Sequence, residues 1–366
     1  MFLESLTLRN FRNYTDEEFS FSKGKNLILG SNGAGKSNLL EAIYVLSTSK
    51  SFRQAVDGKL MRWGCDGYHV RGVFESADGR YMIDILLKDN RKQLLINNTP
   101  EERISNIIGY VYCVLFYFDD ILLVAGPPRV KRGFLDLILS TVDPLYFDNL
   151  RRYLTAVKQK SCYLRDADRI DPKLLLSWDE QLAQFGGYIV YKRCELIGFI
   201  NGFLECSVKE RYREGPLFRL RYQTAVTYGE GEHTVRELRD SFARELELRS
   251  EREVRYSQCL VGPHRDDISF MDENHDIRYF GSVGEARLSA IFLKLAQAAF
   301  YKEMKGVVPI LLMDDILLEL DSRNMEMVLN LLDSNSQIFI TTTEREKLPE
   351  ILTCDTVFHI KEGRSR

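Results

Sequence analysis

The first third of the chain alternates apolar and polar residues with a period of two, which predicts β-strands. Residues 2–9 alternate in this way, and residues 25–29, KNLIL, form a more apolar run that ends at a glycine. Further strands are predicted at 68–76, 81–88 and 92–97, because the turn sequences ADGR and KDNR separate them. The pattern predicts a lobe built largely from antiparallel strands.

Helical spacing of apolar residues takes over from about residue 143 to residue 212. The glycine pair Gly186-Gly187 predicts a loosened point in this helical block, and Gly215-Pro216 predicts its end. A strand is predicted over 217–226, followed by a helix with charges of both signs over 234–256. The last hundred residues return to strands and a helix, with buried strands predicted at PILLM and QIFIT.

Between the strand KNLIL and the helical run that begins NLLEAI stands the sequence GSNGAGKS. It satisfies the phosphate-loop pattern G-x-x-x-x-G-K-[ST], in which backbone N–H groups surround phosphate oxygens and the lysine reaches the β- and γ-phosphates. The strand before and the helix after are the context that the motif requires. The residues predicted to bind ATP are Gly30, Ser31, Asn32, Gly33, Ala34, Gly35, Lys36, Ser37 and Asn38.

The second half of a nucleotide site is predicted at PILLMDD, a buried strand that ends in two acids. Asp314, together with the Ser37 hydroxyl, is predicted to bind Mg²⁺, and Asp315 to orient or deprotonate the attacking water as the catalytic residue. Ser37 and Asp314 lie 277 positions apart. The predicted fold is therefore an α/β ABC-type ATPase head, a mixed sheet with an antiparallel subdomain, assembled from residues 1–140 and 255–366 around a mainly helical arm, 141–254.

A third element, Gly281-Ser282-Val283-Gly284-Glu285, opens a helix just upstream of the acidic strand. A serine hydroxyl and free backbone N–H groups at a helix start can bind an anion. One chain already holds its phosphates at Lys36, so a second corner is explained if Ser282 and Gly284 serve the ATP of a partner copy. That is the head-to-tail sandwich of ABC-type ATPases.

With these motifs together, the chain resembles the RecF family, bacterial recombination-mediator ATPases related to the heads of SMC proteins. The resemblance covers nearly the whole length. The stretches that carry it are LRNFRNY (8–14), GSNGAGKSNLLEAIYVLSTSKSFR (30–53), KRGFLD (131–136), WDEQLA (178–183), LVGPHRDD (260–267), LLMDDILLELD (311–321) and FITTT (339–343).

The resemblance implies an ATP-dependent homodimer that binds double-stranded DNA and single/double-strand junctions without reading sequence, hydrolyses ATP slowly and helps to load recombinase at gaps together with RecR and RecO. It places Arg12 beside the nucleotide and Arg53 near nucleotide or DNA. Glu319 and Asp321 match the dimer-facing D-loop, and Thr342 stands at the switch position within FITTT. Whether the chain counts as an enzyme stays open, since the implied ATPase is weak and DNA-stimulated.

Two motifs depart from the family. The usual Phe-x-Pro-Glu-Asp-Leu reads Phe116-Tyr117-Phe118-Asp119-Asp120-Ile121 here, which keeps the acids and lacks the proline. The signature motif differs as well. The usual Ser-Gln-Gly-Gln reads Ser282-Val283-Gly284-Glu285 here, which removes two amide donors and adds a negative charge near a phosphate site. ATP-driven dimerisation or turnover is therefore expected to be weaker than in the family.

Charge changes the picture only locally, because the net charge of the 366 residues is -3. Residues 129–160 hold seven basic and three acidic side chains, and a basic stripe of this kind can neutralise DNA phosphates. A solvated helix face is the equally weighted alternative. The predicted DNA contacts are Arg53, Arg129, Lys131, Arg132, Arg151, Arg152, Lys158 and Lys160.

Two other functional classes share parts of this pattern. The ATPase subunit of a membrane transporter would have the loop, the corner and the acidic strand, but not the long insert or VGPHRDD. A structural SMC-like head would need a longer coiled coil than the helical block provides. Seven scattered cysteines and the absence of an apolar run of membrane-spanning length predict a cytoplasmic protein with no membrane partner.

Overall fold

The structure is a computed structural model that describes residues 1–167, 169–209, 218–226, 233–272, 275–345, 348 and 352–365. The chain divides into two compact units. Unit 1 consists of Met1–Asp120 and Ile291–Arg366, and unit 2 of Ile121–Ala290. The predicted end of the helical block at Gly215-Pro216 lies outside the described residues.

Within the described residues the strands are, in chain order, β1 (Phe2–Phe11), β2 (Tyr14–Ser20), β3 (Lys25–Leu29), β4 (Gly67–Ser76), β5 (Gly79–Lys88), β6 (Arg91–Ile96), β7 (Thr99–Pro100), β8 (Cys113–Phe116), β9 (Phe218–Gln223), β10 (Asp267–Asp272), β11 (His275–Asp276), β12 (Ile310–Asp314), β13 (Ile338–Thr342), β14 (Thr356–Lys361) and β15 (Arg364–Ser365). The α-helices are α1 (Lys36–Thr48), α2 (Leu122–Ala125), α3 (Pro128–Val142), α4 (Pro144–Asp166), α5 (Pro172–Phe203), α6 (Val235–Tyr256), α7 (Ile277–Phe280), α8 (Val283–Lys305) and α9 (Ser322–Leu331).

Unit 1 contains two six-stranded sheets. One is antiparallel throughout, in the order β2-β1-β4-β5-β6-β7. The other has the order β15-β14-β3-β13-β12-β8 and is parallel except for β15. Because β3 and β14 come from opposite ends of the chain, this sheet can form only when both ends of the chain are present. The fold confirms the predicted mixed sheet with an antiparallel subdomain.

Helix α1 packs against strands of both sheets and forms the centre of the core of unit 1. Leu39, Leu40, Ile43 and Leu46, the apolar positions that predicted the helix, are fully buried. Burying a leucine or isoleucine side chain stabilises a fold by about 1.5–3 kcal/mol. The same helix begins at Lys36, so the phosphate loop is fixed to the most buried helix of the unit.

Unit 2 is mainly helical, with α4, α5 and α6 packed side by side and the antiparallel sheet β11-β10-β9 beside them. The prediction of a loosened helix at Gly186-Gly187 is wrong, since α5 passes through both residues without interruption. A Cβ on Gly186 would lie 2.2 Å from Phe242 Cε1, and one on Gly187 would lie 2.8 Å from Arg239 Cα. The pair lets α6 approach α5 closely, so its role is packing.

A buried polar network ties the elements of unit 2 together around Arg193, which is 1% exposed. Its guanidinium donates to Asp136 Oδ1 at 2.7 Å and to the Pro263 carbonyl at 2.7 Å. The Tyr146 hydroxyl donates to the same Asp136 oxygen at 2.5 Å. A buried charge is stable only when it is paired and hydrogen-bonded, and here α3, α4, α5 and the loop before β10 supply the partners.

The boundaries of the two compact units differ from the domain boundaries predicted from the sequence. The sequence predicts boundaries near residues 140 and 255, whereas the units divide after Asp120 and after Ala290, the second of these inside α8. The arrangement of one unit made from both chain ends, interrupted by another, is common to both descriptions. None of the helices in the described ranges is long and apolar enough to cross a membrane.

Candidate nucleotide site

The phosphate loop leaves the carboxyl end of β3 and leads directly into α1. Gly33 and Gly35 adopt positive φ angles of 79° and 121°, a region that residues with a side chain avoid. A Cβ on Gly35 would also lie 2.7 Å from Asn13 Nδ2, and one on Gly30 would lie 2.5 Å from the Ile360 carbonyl oxygen. The loop therefore needs glycine at these positions for both shape and space.

Lys36 is 5% exposed and its ammonium group faces the loop. Nζ donates to the carbonyl oxygens of Gly30 at 2.8 Å and Ser31 at 3.3 Å. The ammonium thus lies inside the ring of backbone groups that the motif uses for phosphate. Ser31, Asn32 and Gly33 are exposed, which leaves the outer side of the loop open to a ligand.

The turn between β1 and β2 supports the loop from one side, a contact that the sequence did not reveal. Asn13 Nδ2 donates to the Ala34 carbonyl at 2.9 Å, and the Tyr14 hydroxyl donates to the Gly35 carbonyl at 3.0 Å. Asn38, predicted to bind ATP, donates through Nδ2 to Asn13 Oδ1 at 2.8 Å. The only signal in the sequence was NFRNY, which the resemblance singled out as a whole.

The structure brings the two predicted Mg²⁺ ligands together. The Ser37 side chain lies close enough to the Asp314 carboxylate to lower its pKa, and Thr341 Oγ1 donates to Asp314 Oδ1 at 3.0 Å. Burial raises the pKa of Asp314, while the hydroxyls of Ser37 and Thr341 and the positive charge of Arg53 lower it. The result is a buried carboxylate with a raised pKa at the start of α1.

Asp315 follows directly and adopts a left-handed backbone conformation, with φ 52°. Its N–H donates to Thr341 Oγ1 at 2.9 Å, and the Thr341 hydroxyl lies 3.4 Å from Asp315 Oδ1. The backbone reversal makes Asp315 half-buried while Asp314 stays in the core. The two acids therefore occupy different environments, as the predicted metal-binding and catalytic roles require.

Within FITTT it is Thr341 that contacts both acids. Thr342, predicted as the switch residue, is fully buried and its hydroxyl donates to the Glu344 carbonyl at 3.0 Å. In a strand, adjacent side chains point to opposite faces, so Thr341 and Thr342 cannot share one environment. The switch role of Thr342 stays a prediction.

The predicted D-loop residues Glu319 and Asp321 are both exposed. Asp321 caps α9, because its side chain accepts hydrogen bonds from Asn324 N at 2.8 Å and from Asn324 Nδ2 at 2.6 Å. The bond from the Asn324 backbone lowers the pKa of Asp321. The capping bond gives Asp321 a structural role beside the predicted dimer contact.

The Ser282 corner is exposed and forms a capping box at the start of α8. Ser282 N donates to Glu285 Oε2 at 2.6 Å, and Glu285 N donates to Ser282 Oγ at 3.2 Å. Gly284 is exposed as well, and Val283 is 66% exposed. The exposed surface leaves the hydroxyl and the helix start accessible from solvent.

Sequence reasoning missed Glu41, a fully buried carboxylate in α1. Arg12 binds it with two parallel hydrogen bonds, Nε to Oε2 at 2.7 Å and Nη2 to Oε1 at 2.8 Å. Arg53 Nη1 lies 3.8 Å from Glu41 Oε2 and donates to Asn38 Oδ1 at 2.9 Å. Glu41 lies between apolar positions of an amphipathic helix, so its partners could be identified only from the fold.

Two of the predicted DNA contacts are wrong. Lys131 is 1% exposed, with Nζ donating to the Ile268 carbonyl at 2.7 Å, and Lys160 is fully buried between Asp179 and Glu253. Neither ammonium can meet a DNA phosphate because each is enclosed by unit 2. Their helices carry basic residues on two faces, and one of those faces is core.

The remaining basic residues of the stretch stay candidates. Arg132 is half-buried and donates to the Asp266 carbonyl at 2.6 Å. This N–H group of its guanidinium is therefore already hydrogen-bonded within the protein. The residues of the stretch that lie on the surface are Arg129, Arg151, Arg152 and Lys158. The side chain of Arg53, in unit 1, is 31% exposed.

His264 of VGPHRDD is part of the buried polar network of unit 2. The Tyr153 hydroxyl and His264 Nδ1 are 2.6 Å apart. Burial lowers the pKa of His264 to about 4, so the ring is neutral at neutral pH and its Nδ1 accepts a hydrogen bond from the Tyr153 hydroxyl. The side chain fixes a corner of the fold.

A phosphate loop after one parallel strand, with an acid pair at the end of another strand of the same sheet, defines the chain as a P-loop ATPase head of the ABC and SMC type. Comparison with known proteins supports this class. The chain matches the RecF/RecN/SMC N-terminal domain family over residues 2–366. It also aligns with a solved SMC head bound to the C-terminal winged-helix domain of ScpA, at 18% identity and a TM-score of 0.53, covering 100% of this chain and 96% of that one; at this identity the likeness concerns the fold alone.

Closer relatives are RecF proteins. The chain is 33% identical to the DNA replication and repair protein RecF of Streptococcus suis over 100% of its own length and 99% of that protein. It is 29% identical to the solved recombination mediator protein RecF-ATP of the RecFOR pathway, with a TM-score of 0.91 over 100% of this chain and 97% of that one. The chain belongs to the RecF family.

Proposed function

We propose that the protein is an ATP-dependent switch for DNA replication and repair: ATP binding joins two copies head to tail on DNA, and slow hydrolysis releases them. The observation that carries the proposal is that Ser37, at the end of the phosphate loop, lies beside Asp314, at the end of the acidic strand, and lowers its pKa, so that the two motifs form one site. The described RecF-ATP structure and the RecF relatives support the same reading.

The residues present fit ATP and Mg²⁺. Exposed backbone N–H groups of the loop and the Lys36 ammonium would hold the phosphates. A hydroxyl and a carboxylate are the hard oxygen ligands that Mg²⁺ takes, and Ser37 lies close enough to Asp314 to lower the pKa of its carboxylate. A bound Mg²⁺ would neutralise charge on the phosphates. Asp315, half-buried beside Thr341, would orient the attacking water.

The homodimer is proposed from the Ser282 corner. Ser282 and Gly284 are exposed at a helix start, where backbone N–H groups and a hydroxyl favour an anion. In a head-to-tail pair each copy would offer Lys36 to its own ATP and Ser282 to its neighbour's. Glu285, whose carboxylate accepts from Ser282 N, would weaken the corner by like-charge repulsion with a phosphate.

DNA is proposed as the macromolecular ligand, with RecR and RecO as partners on the strength of the resemblance, and the cytoplasm as the location. Exposed arginines and lysines bind backbone phosphates without reading bases, so affinity should fall steeply with salt. Loading of recombinase at gaps belongs to the same proposal.

The test is a titration of double-stranded DNA with and without ATP and Mg²⁺, at two salt concentrations. Retention that requires ATP and weakens at the higher salt supports the proposal. Equal DNA retention with and without ATP contradicts it. A transporter ATPase subunit would bind ATP but would show no stimulation of turnover by DNA, so an ATPase assay with DNA separates the two classes.

A further inference from the structure

The helix that carries Lys36 also carries Glu41, one and a half turns further on, with its carboxylate fully buried. An ionised carboxylate without partners would be very costly at such a position. Glu41 is instead surrounded by donors: the Arg12 fork, the Arg53 guanidinium and the Ser51 hydroxyl. Three segments of unit 1 therefore meet at this carboxylate: α1 itself, the turn that holds Arg12, and the loop that holds Ser51 and Arg53.

Two of these segments have no regular structure at the contact. Arg12 lies in the turn between β1 and β2 and adopts a positive φ of 54°. Arg53 lies in the loop after α1, where Ser51 Oγ accepts from Arg53 N at 3.1 Å and from Ala55 N at 3.4 Å. The bonds to Glu41 therefore hold the side chains of two residues that lie outside regular secondary structure.

Both segments touch the nucleotide site. The residue next to Arg12, Asn13, holds the Ala34 carbonyl of the phosphate loop. Arg53 Nη1 holds Asn38 in the first turn of α1, and its charge acts on Asp314. The Glu41 carboxylate thus pairs with two cations. Arg12 is next to a residue that contacts the phosphate loop, and Arg53 contacts the first turn of α1.

We propose that Glu41 is a positioning residue for the nucleotide site, which sets Arg12 and Arg53 relative to the phosphate loop through the buried ion cluster. The inference rests on the proposed ATP-binding function and deepens it. A bidentate arginine–carboxylate pair fixes both the direction and the plane of the guanidinium. Without the Glu41 carboxylate, the two arginines keep their charge, but their guanidinium groups are no longer held in a fixed position.

A neighbouring ion pair offers a matched control. Lys92 Nζ lies 2.6 Å from Asp57 Oδ1 and also binds the Ser49 carbonyl just after α1. This pair ties α1 to β6 in the same unit, but it makes no contact with Arg12 or Arg53. Loss of the pair should cost stability without moving the two arginines.

The experiment measures binding of a fluorescent ATP analogue and thermal unfolding for the parent and for Glu41→Gln, Glu41→Asp and Asp57→Asn. We expect Glu41→Gln to weaken nucleotide binding about tenfold. Glu41→Asp, which keeps the charge on a shorter side chain, should be intermediate. Asp57→Asn should bind within about twofold of the parent even where its unfolding temperature falls.

A second background separates positioning from general loosening. If Glu41 acts through Arg12 and Arg53, Glu41→Gln should have little further effect on binding in a protein that carries both Arg12→Gln and Arg53→Gln, because coupled residues are not additive. Ser51→Ala, which removes one hydrogen bond and no charge, provides a milder change should Glu41→Gln fold poorly, and we expect weaker binding there too.

The outcomes are distinguishable. A parent protein that binds no nucleotide overturns the proposed function and this inference with it. A parent that binds, together with folded Glu41→Gln and Ser51→Ala proteins that bind equally well, overturns this inference alone. The same holds if Glu41→Gln weakens binding by an equal factor in the parent and in a protein that carries both Arg12→Gln and Arg53→Gln.

Discussion

Ser37, in the first turn of α1, lies beside Asp314 at the end of β12 and lowers the pKa of its carboxylate, although the two residues are 277 positions apart in the chain. The contact forms because β3 and β12 belong to one parallel sheet, in which β13 lies between them. The carboxyl ends of parallel strands meet at one edge, and that edge is where open α/β sheets bind ligands.

Replacement of Lys36 by methionine should remove nucleotide binding. The ammonium group lies within the loop at 2.8 Å from the Gly30 carbonyl, and a charged hydrogen bond to phosphate contributes about 1.5–3 kcal/mol, so we expect affinity to fall about 100-fold. Fluorescent ATP titration measures the change. Lys88→Met, at an exposed position of β5, is the control and should bind like the parent. A Lys36→Met protein with parental affinity would show that the loop binds no phosphate.

Replacement of Asp314 by asparagine should stabilise the protein at neutral pH and weaken its Mg²⁺-dependent binding of nucleotide. Burial raises the pKa of Asp314 above 3.8, so the folded state holds the proton more tightly than the unfolded state does. The free energy of unfolding therefore falls as pH rises from 3.8 through the raised pKa, and the penalty is present at neutral pH.

Asparagine carries no such penalty, and we expect a higher free energy of unfolding for the variant. Denaturant unfolding of both proteins at neutral pH measures it. Loss of stability in Asp314→Asn would instead show that the carboxylate is a structural partner.

Asp315→Asn should keep binding and lose turnover, which traps the ATP-bound dimer.

Acid should destabilise unit 2 through His264. Burial lowers the pKa of this histidine to about 4, so below 6.5 the unfolded state takes up a proton that the folded state refuses. The free energy of unfolding should fall by about 3 kcal/mol between pH 6.5 and pH 4 from this residue alone. In His264→Gln that part of the pH dependence should disappear. An unchanged slope in the variant would rule the histidine out as its cause.

Replacement of Lys160 should lower stability, whereas replacement of Lys158 should alter DNA binding. Lys160→Met leaves Asp179 and Glu253 without their shared cation, and we expect a loss of about 3–5 kcal/mol in stability. Lys158→Gln, at an exposed position of the same helix, should leave stability unchanged and reduce the salt dependence of DNA binding by about one charge. Urea unfolding and DNA titrations at several salt concentrations separate the two. Equal salt slopes in Lys158→Gln and the parent would exclude Lys158 from the DNA contact.

The sequence was sufficient to predict the local elements of the fold and of the nucleotide site. The phosphate loop, α1 and the strands β3 and β12 could be predicted because each is specified by a few consecutive residues. The discontinuous head followed from the distance between Ser37 and Asp314. Periodicity also predicted the helical block, although it could not show that Gly186-Gly187 serves the approach of α6.

What the sequence could not show were contacts between distant segments. Lys160 appeared as one more basic residue of a helix, because Glu253, its buried partner, lies 93 positions away. Glu41 appeared as a polar residue in an apolar helix for the same reason. The choice between Thr341 and Thr342 depends on which face of β13 meets the acids, and a one-residue shift in a strand reverses the face.

The central claim is that ATP joins two copies, with Lys36 on its own nucleotide and Ser282 on the neighbour's. The most direct measurement is the mass in solution by light scattering, with and without ATP and Mg²⁺, for the parent and for Ser282→Arg. We predict that the 42.5 kDa parent doubles its mass with ATP, whereas Ser282→Arg binds ATP and stays at the single-chain mass. A parent that binds ATP without any change in mass, or a Ser282→Arg protein that doubles as the parent does, would contradict the account.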